Sequence, residues 1–304
     1  MLETLFSTLK RDEKTKEPVF SIIIPCKNEG ENIRNTIDSI KENTDKDSYE
    51  IIVVDDGSDD GCCDFLRNCP EEGVTLVNPG ERTGQARHIG TENAKGNIYV
   101  FCDAHIFVEN DWLEKLAETL ATPGINAVSP VFRNLDNEGL TWAGLTYRKN
   151  MKMGWLPNPG TLVPVPVLPR GCLAITRETF DAVGRFDKGF RMYAYGNVEF
   201  TMKLWLSGLG AYIDPRVTVR HILRDHISYP QNYVDIHYNL LRMAFLHFNQ
   251  SRLNKIISQI KHKDYFPEIF TDVILSDALE QRNQHFANRV NDDDWFMNKF
   301  NIQL

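Results

Sequence analysis

The feature that most constrains this fold is a regular alternation of short apolar runs and helical stripes over the first 130 residues. Residues 19–25 (VFSIIIP), 49–55 (YEIIVVD), 74–77 (VTLV) and 98–102 (IYVFC) are apolar runs with little polar alternation. Such runs belong to strands covered on both faces. Between them, residues 30–43 read as a helix with Ile33, Ile37 and Ile40 on one face. Phe65 and Leu66 fit a short helix, and 84–95 reads as another. Residues 111–120 add a helix whose stripe is Trp112, Leu113, Leu116 and Leu120. This order implies an α/β fold, a mostly parallel sheet with right-handed crossovers. Ligands gather at the carboxyl ends of strands in such sheets, and Asp55, Asp56 and Asp103 fall at those ends.

The fourth run ends on Asp103 and His105, with Ala104 between them. Alternate residues of a strand point the same way, so the carboxylate and the imidazole project together from a strand end. Two such groups suit a divalent metal. A turn-forming Asp beside a histidine of no special role is the simpler alternative.

Composition narrows the function classes. A chain of 304 residues buries one large core, or one domain with an appendage. Its 34 basic against 42 acidic residues leave a net charge of −8, which argues against a general nucleic-acid binder. No apolar run reaches the roughly 18–20 residues of a membrane span, and residues 1–14 lack the apolar core of a signal peptide. The six cysteines show no paired zinc spacing, and adjacent Cys62 and Cys63 are an awkward start for a disulfide framework. Cys26 and Cys102, at strand ends, read as small hydrophobes. A reduced, cytoplasmic protein is expected.

The middle and the end of the chain differ from its start. Residues 154–170 carry five prolines, which forbid a helix and leave extended or turn structure. The interleaved Trp, Leu and Val residues imply a packed segment, either bordering a site or crossing the surface. A strand at 171–175 and helices around 178–183 and 199–206 follow. From Pro230 the pattern is helical, with Tyr233, Ile236, Leu240, Leu241, Ala244, Phe245 and Phe248 as one core-facing stripe. His237 and His247 read as polar or half-buried helix residues.

Four segments occur together and in order: 25–33 (PCKNEGENI), 54–58 (VDDGS), 83–105 with TGQARHIG, AKG and the DAH strand end, and 171–187 with GCLAITR and VGRFD. Together they resemble family 2 glycosyltransferases, across about residues 18–226. Asp103-Ala-His105 followed by Asp111-Trp-Leu, the stretch 196–205 (GNVEFTMKLW) and 221–224 (HILR) resemble the polypeptide N-acetylgalactosaminyltransferases more narrowly. The resemblance implies a GT-A (Rossmann-like) fold, a mixed and mostly parallel sheet flanked by helices. It implies a catalytic domain over 1–226, with nucleotide-sugar binding at about 18–130 and the acceptor side at about 131–226. A helical C-terminal extension would occupy 227–304.

The resemblance also implies roles. Asp103, His105 and His221 would hold Mn2+ or Mg2+, and Arg224 would steady the diphosphate. Pro25, Asn28, Glu29, Asp55 and Asp56 fall in the donor-binding segments, the two Asp suiting the uracil N–H and ribose hydroxyls. Arg87 would pair with phosphate or bind and orient Asp103; on the sequence alone a surface salt bridge serves equally. Tyr229 would belong to a segment closing over the donor, and Tyr193 and Tyr195 would line the pocket. The implied reaction moves a sugar, an N-acetylhexosamine by the narrower likeness, from a UDP-sugar to a hydroxyl or thiol of a peptide, protein or glycan.

One departure stands out. Inverting members carry an acidic pair where this chain has Gly196 and Asn197. Neither accepts a proton at neutral pH. Glu199 and Asp187 are the nearby carboxylates that would have to replace the missing base. The polypeptide transferases retain anomeric configuration without a dedicated base, so the loss leans toward retention. A nucleotide-sugar binder without catalysis and, more remotely, a nucleotidyltransferase are the competing readings.

Overall fold

The computed structural model describes residues 18–80, 84–192, 194–223 and 232–303. Strands β1 (Phe20–Cys26), β2 (Tyr49–Asp55), β3 (Val74–Val77) and β4 (Ile98–Cys102) alternate with helices α1 (Asn32–Glu42), α2 (Asp64–Asn68) and α3 (Ala86–Glu92). β1 pairs in parallel with β2 and β4, and β2 with β3. The register sets Cys26 beside Asp55, so the loops after these strands leave the sheet along one edge.

Both faces of this sheet are covered, as the apolar runs require. Ile22 and Ile24 enter one core with Ile33, Ile37 and Ile40 of α1 and with Leu113 and Leu116 of α4 (Trp112–Leu120). Ile23, between them, enters the other core with Phe101, Phe180 and Phe200. Each such fully buried side chain contributes about 1.5–3 kcal/mol. Helix α3 lies close on β1, since a Cβ added at Gly90 would meet Ile23 Cγ2 at 2.3 Å. That close approach brings Arg87 to the strand ends.

The sheet continues on the other side of β4 with mixed direction. β11 (Cys172–Thr176) runs antiparallel to both β4 and β6 (Ala127–Asn134), and β12 (Ala211–His221) runs parallel to β6. With the short edge strand β10 (Val163–Pro164), the order is β10-β12-β6-β11-β4-β1-β2-β3. β5 (Ile106–Phe107) attaches to β12, and β7 (Thr141–Trp142) to β6. A separate hairpin pairs β8 (Leu145–Tyr147) with β9 (Met153–Trp155). Strands β6 and β12 escape pattern reading because each contains a proline, Pro130 and Pro215. The sheet tolerates them through a register shift between Asp214 and Thr218.

Helices α5 (Arg177–Ala182) and α6 (Gly196–Leu206) follow β11, and α7 (Tyr233–His247), α8 (Gln250–Ile260), α9 (Phe266–Leu275), α10 (Ala278–Asn288) and α11 (Asp293–Lys299) end the chain. These last helices share one continuous core with Ile23 and the sheet, through Leu240, Leu241, Ile256, Val273 and Phe296. α7 is buried around most of its circumference, Asn239, Arg242 and His247 included. Tyr233, expected in its stripe, is exposed, because it opens the helix ahead of the packed turns. The proline-rich segment does both things considered for it. Val165, Val167 and Leu168 are buried, whereas Trp155 and Arg170 line a cleft. No helix among the described residues is long and apolar enough to cross a membrane.

Candidate active site

Three groups meet at the strand ends. Asp103 follows β4, its N–H bonded to the Gly171 carbonyl at 2.9 Å. His105 precedes β5, and β5 pairs with β12 so that Ile106 sits opposite His221. The Ile222 N–H closes that pairing on the His105 carbonyl at 3.1 Å. Residues 116 positions apart in sequence (105 and 221) thus become neighbours through one short ladder. Single donor atoms of Asp103, His105 and His221 lie within 4.8 Å of one another. His221 Nε2 is 3.6 Å from Asp103 Oδ2, and the two imidazole centroids are 4.6 Å apart. His221 also sits edge-on to Phe132 and Trp142, which fix its ring.

The groups around this trio prepare it for a cation. Glu29 Oε2 lies 3.1 Å from His105 Nδ1, the carboxylate–imidazole arrangement that orients a ligating histidine through its other nitrogen. Arg87 and Arg170 approach Asp103 Oδ1 at 3.4 and 3.5 Å. Burial alone would raise the Asp103 pKa, but Arg170, His221 and Arg87 outweigh it and hold the carboxyl well below its usual range. His221 Nδ1 is buried with no hydrogen-bond partner among the described residues. One ionised carboxylate and two imidazoles, a buried nitrogen lacking a partner and 15% exposure at each side chain fit a divalent ion with room for further ligands.

Beside the trio opens a cleft of about 500 Å³. Pro25, Glu29, Asp56, Arg87 and Arg170 form its strand-end wall, with Trp155, Met153 and Leu145 among its apolar lining. The opposite wall is the start of α6, with Tyr195, Gly196 and Asn197. Asn197 Nδ2 donates to the Leu168 carbonyl at 2.9 Å, which fastens this wall to the proline-rich segment. Burial pushes the Tyr195 phenol up to about 12, so it stays protonated at neutral pH. A Cβ at Gly196 would meet nothing within 4 Å, so the cleft is open at the point where an acidic side chain would otherwise project.

The other residues singled out in the sequence fall in several places. Asn28 and Asp55 stand behind the wall and brace it. Asn28 takes the positive φ of a tight turn, accepts the Asp59 N–H at 3.0 Å and donates its own N–H to Ser58 Oγ at 3.1 Å. Asp55 is buried, ion-paired with Arg67, and accepts the Ser58 N–H at 2.9 Å. Asp56 lines the cleft and accepts the Gly84 N–H at 3.3 Å. Arg224, Tyr229 and Tyr193 lie outside the described residues.

Both carboxylates considered as bases are committed elsewhere. Glu199 faces away from the cleft, with Oε1 2.8 Å from His247 Nε2 and 3.3 Å from Lys203 Nζ in the interior. Asp187 touches the cleft, but its two oxygens take Arg242 at 2.7 and 2.8 Å, and its side chain is 1% exposed. It anchors the cleft wall to α7. Glu199 is held instead toward the helices that close the chain, by Lys203 one turn on and by His247 of α7. Arg170, which lines the cleft and reaches Asp103, is the neighbour of the trio that pattern reading passes over. Its one signal is its place, at the end of a rigid proline run and just before a strand.

Comparison with known proteins agrees with this architecture. The Glycosyl transferase family 2 profile matches residues 21–184. Polypeptide N-acetylgalactosaminyltransferase 11 of Xenopus tropicalis is 27% identical over 256 residues, covering 75% of this chain and 42% of the relative. N-acetylgalactosaminyltransferase 6 of Drosophila melanogaster is 26% identical over 322 residues, covering 97% of this chain and 47% of its own. The chain therefore spans less than half the length of these relatives. A crystal structure of GalNAc-T7 with UDP, GalNAc and Mn2+ superposes with a TM-score of 0.77 at 21% identity, covering 95% of this chain and 57% of that one. The fold is shared at that distance in sequence. With a profile match over more than half of its residues, the chain belongs to glycosyl transferase family 2.

Proposed function

We propose that this protein transfers a sugar from a UDP-sugar, an N-acetylhexosamine by its relatives' names, to a hydroxyl of a peptide or glycan, with retention of anomeric configuration. One observation carries the reading: a carboxylate and two imidazoles converge behind Glu29, Arg87 and Arg170, which line the cleft and contact them. Asp103, His105 and His221 are the residues that would hold Mn2+. A bound divalent ion neutralises negative charge developing on a departing diphosphate. Glu29 fixes the His105 ring, and Arg87 and Arg170 keep Asp103 ionised while adding positive charge at the same end of the cleft. Asp56, on the cleft wall, suits the ribose hydroxyls or the uracil N–H.

The acceptor side supports retention. Gly196 and Asn197 offer no base, Tyr195 keeps its proton, and Glu199 and Asp187 are locked in ion pairs. With no free base among the described residues of the acceptor wall, the leaving phosphate is the group that would take the acceptor proton. Free thiols throughout the described chain suit a reducing compartment such as the cytoplasm.

The test is incubation with Mn2+ and a panel of nucleotide sugars, with and without peptides, reading UDP release and product mass. The expected result is release with a UDP-N-acetylhexosamine that vanishes in His221→Ala. Equal release from the variant, or none from the native chain with any donor, overturns the proposal.

A further inference from the structure

Three thiols gather behind the strand-end wall of the cleft, which Cys26 helps to line. Cys26 ends β1, and Cys62 and Cys63 precede α2; the sequence separates them by 36 and 37 positions. In the fold their sulfurs form a triangle with sides of 3.5, 3.6 and 3.8 Å. All three are free thiols, 1%, 7% and 0% exposed. Pairing by spacing misses this group, because one sulfur comes from a strand end and two from consecutive residues of a loop. Parallel registration of β1 with β2 brings them together, since it sets Cys26 beside Asp55 and returns the loop over it.

The size of the triangle is informative. Zn–S bonds of about 2.3 Å at tetrahedral angles put sulfurs about 3.8 Å apart. A disulfide needs about 2.05 Å and consumes two sulfurs. Three sulfurs in mutual contact leave a face on which one ion reaches all of them without backbone rearrangement. From this geometry we infer that Cys26, Cys62 and Cys63 form a second metal site, a three-thiolate seat for a thiophilic ion such as Zn2+.

Binding releases the thiol protons to solvent. A fourth ligand would be exogenous or water, reaching the ion past Cys62, the least buried of the three.

The site clips two loops that matter to the cleft. The loop after β1 carries Glu29, which holds His105, and the loop after β2 carries Asp56, on the cleft wall. One ion across Cys26, Cys62 and Cys63 ties those loops at a point that touches neither the trio nor the acceptor wall.

Cd2+ titrated into the reduced full-length chain reads the site directly, through the ultraviolet charge-transfer band of a cadmium thiolate. One equivalent is expected to produce the band and to shield Cys62 from alkylation, as mass spectrometry of the labelled chain reports. Cys62→Ser, at the least buried corner, should weaken binding by about a hundredfold or more, beyond the loss seen when only a supporting group is removed. His221→Ala should keep the band, which separates this site from the trio. A native chain without the band, a band unchanged in Cys62→Ser, or a Cys26–Cys62 disulfide persisting in the reduced chain would each overturn the assignment. If Cys62→Ser does not fold, rapid alkylation of Cys62 in the cadmium-treated native chain overturns it alone.

Discussion

Two clusters in this molecule contain the same kinds of ligand group and meet opposite fates. Asp103, His105 and His221 lie at the strand ends; Glu199, His247 and His285 lie where α6, α7 and α10 pack together. Each brings one carboxylate and two imidazoles within 4.8 Å. The first is partly exposed beside a cleft and has arginines on its carboxylate. In the second, Glu199 and His247 are buried and His285 partly so, and Lys203 sits 3.3 Å from Glu199 Oε1, where its ammonium occupies the place a cation would take. Ligand type alone therefore does not distinguish a candidate metal site from a buried electrostatic brace. Access and the charge already in place do.

The largest way to break this contrast is to delete a ligand of the exposed cluster. Asp103→Ala should lower UDP release by about a thousandfold or more, since a metal's charge stabilisation is worth several kcal/mol and each ~1.4 kcal/mol is tenfold. Its far-UV circular dichroism should be native. Residual turnover near the native rate would remove Asp103 from the site.

The mirror experiment is Glu199→Gln. Leaving Lys203 buried without its counter-charge should cost about 3–5 kcal/mol of stability, measured by urea denaturation. Turnover per folded molecule should stay within a few-fold of native. A loss of a hundredfold in turnover with intact stability would restore Glu199 as a base.

Glu29→Gln sharpens the comparison from the supporting residues. It should weaken Mn2+ affinity by about 10–100-fold, read by titration, with little change in stability. An unchanged affinity would mean that Glu29 does not orient His105.

The smallest effect concerns pH and the interior cluster. Burial, aided by His247 and Lys203, holds His285 down at about 4 against an ordinary 6.5. Between those values the unfolded chain takes up a proton that the fold refuses, so stability falls as pH drops from 6.5 toward 4. Glu199 acts in the same direction at lower pH. Burial would raise it, but Lys203 and His247 outweigh that and bring it from 4.5 to about 2, so its contribution is lost as pH falls from 4.5 through 2. Denaturation midpoints measured from pH 7 to 4 should decline, and His285→Phe should flatten the upper part of that decline. A flat native profile would show that His285 titrates freely.

Much of the sheet was legible because strand burial writes itself into composition. Tyr49–Asp55, Val74–Val77 and Ile98–Cys102 follow directly from apolar runs, and Ile33, Ile37 and Ile40 from helical spacing. Where proline interrupts the run, in β6 and β12, the pattern fails, although the register shift makes both strands possible. The same limit applies to the site. Asp103 and His105 can be seen as a pair because two residues of one strand end share a face. His221 came from family resemblance, and Arg170 from nothing short of the fold.

By itself the sequence determined which chain segments are strands buried on both sides, and that acidic groups stand at their ends. These follow from local spacing and the cost of leaving apolar surface in water. Tertiary structure alone decided which carboxylates are usable. Asp103 is partly exposed beside the cleft-lining Arg87 and Arg170, whereas Glu199 is neutralised by Lys203 and His247 and Asp187 by Arg242, the last two from a helix the chain reaches later. It also decided that three thiols meet. Contacts of this kind depend on the register of paired strands and the packing of distant helices, which no local pattern of residues encodes.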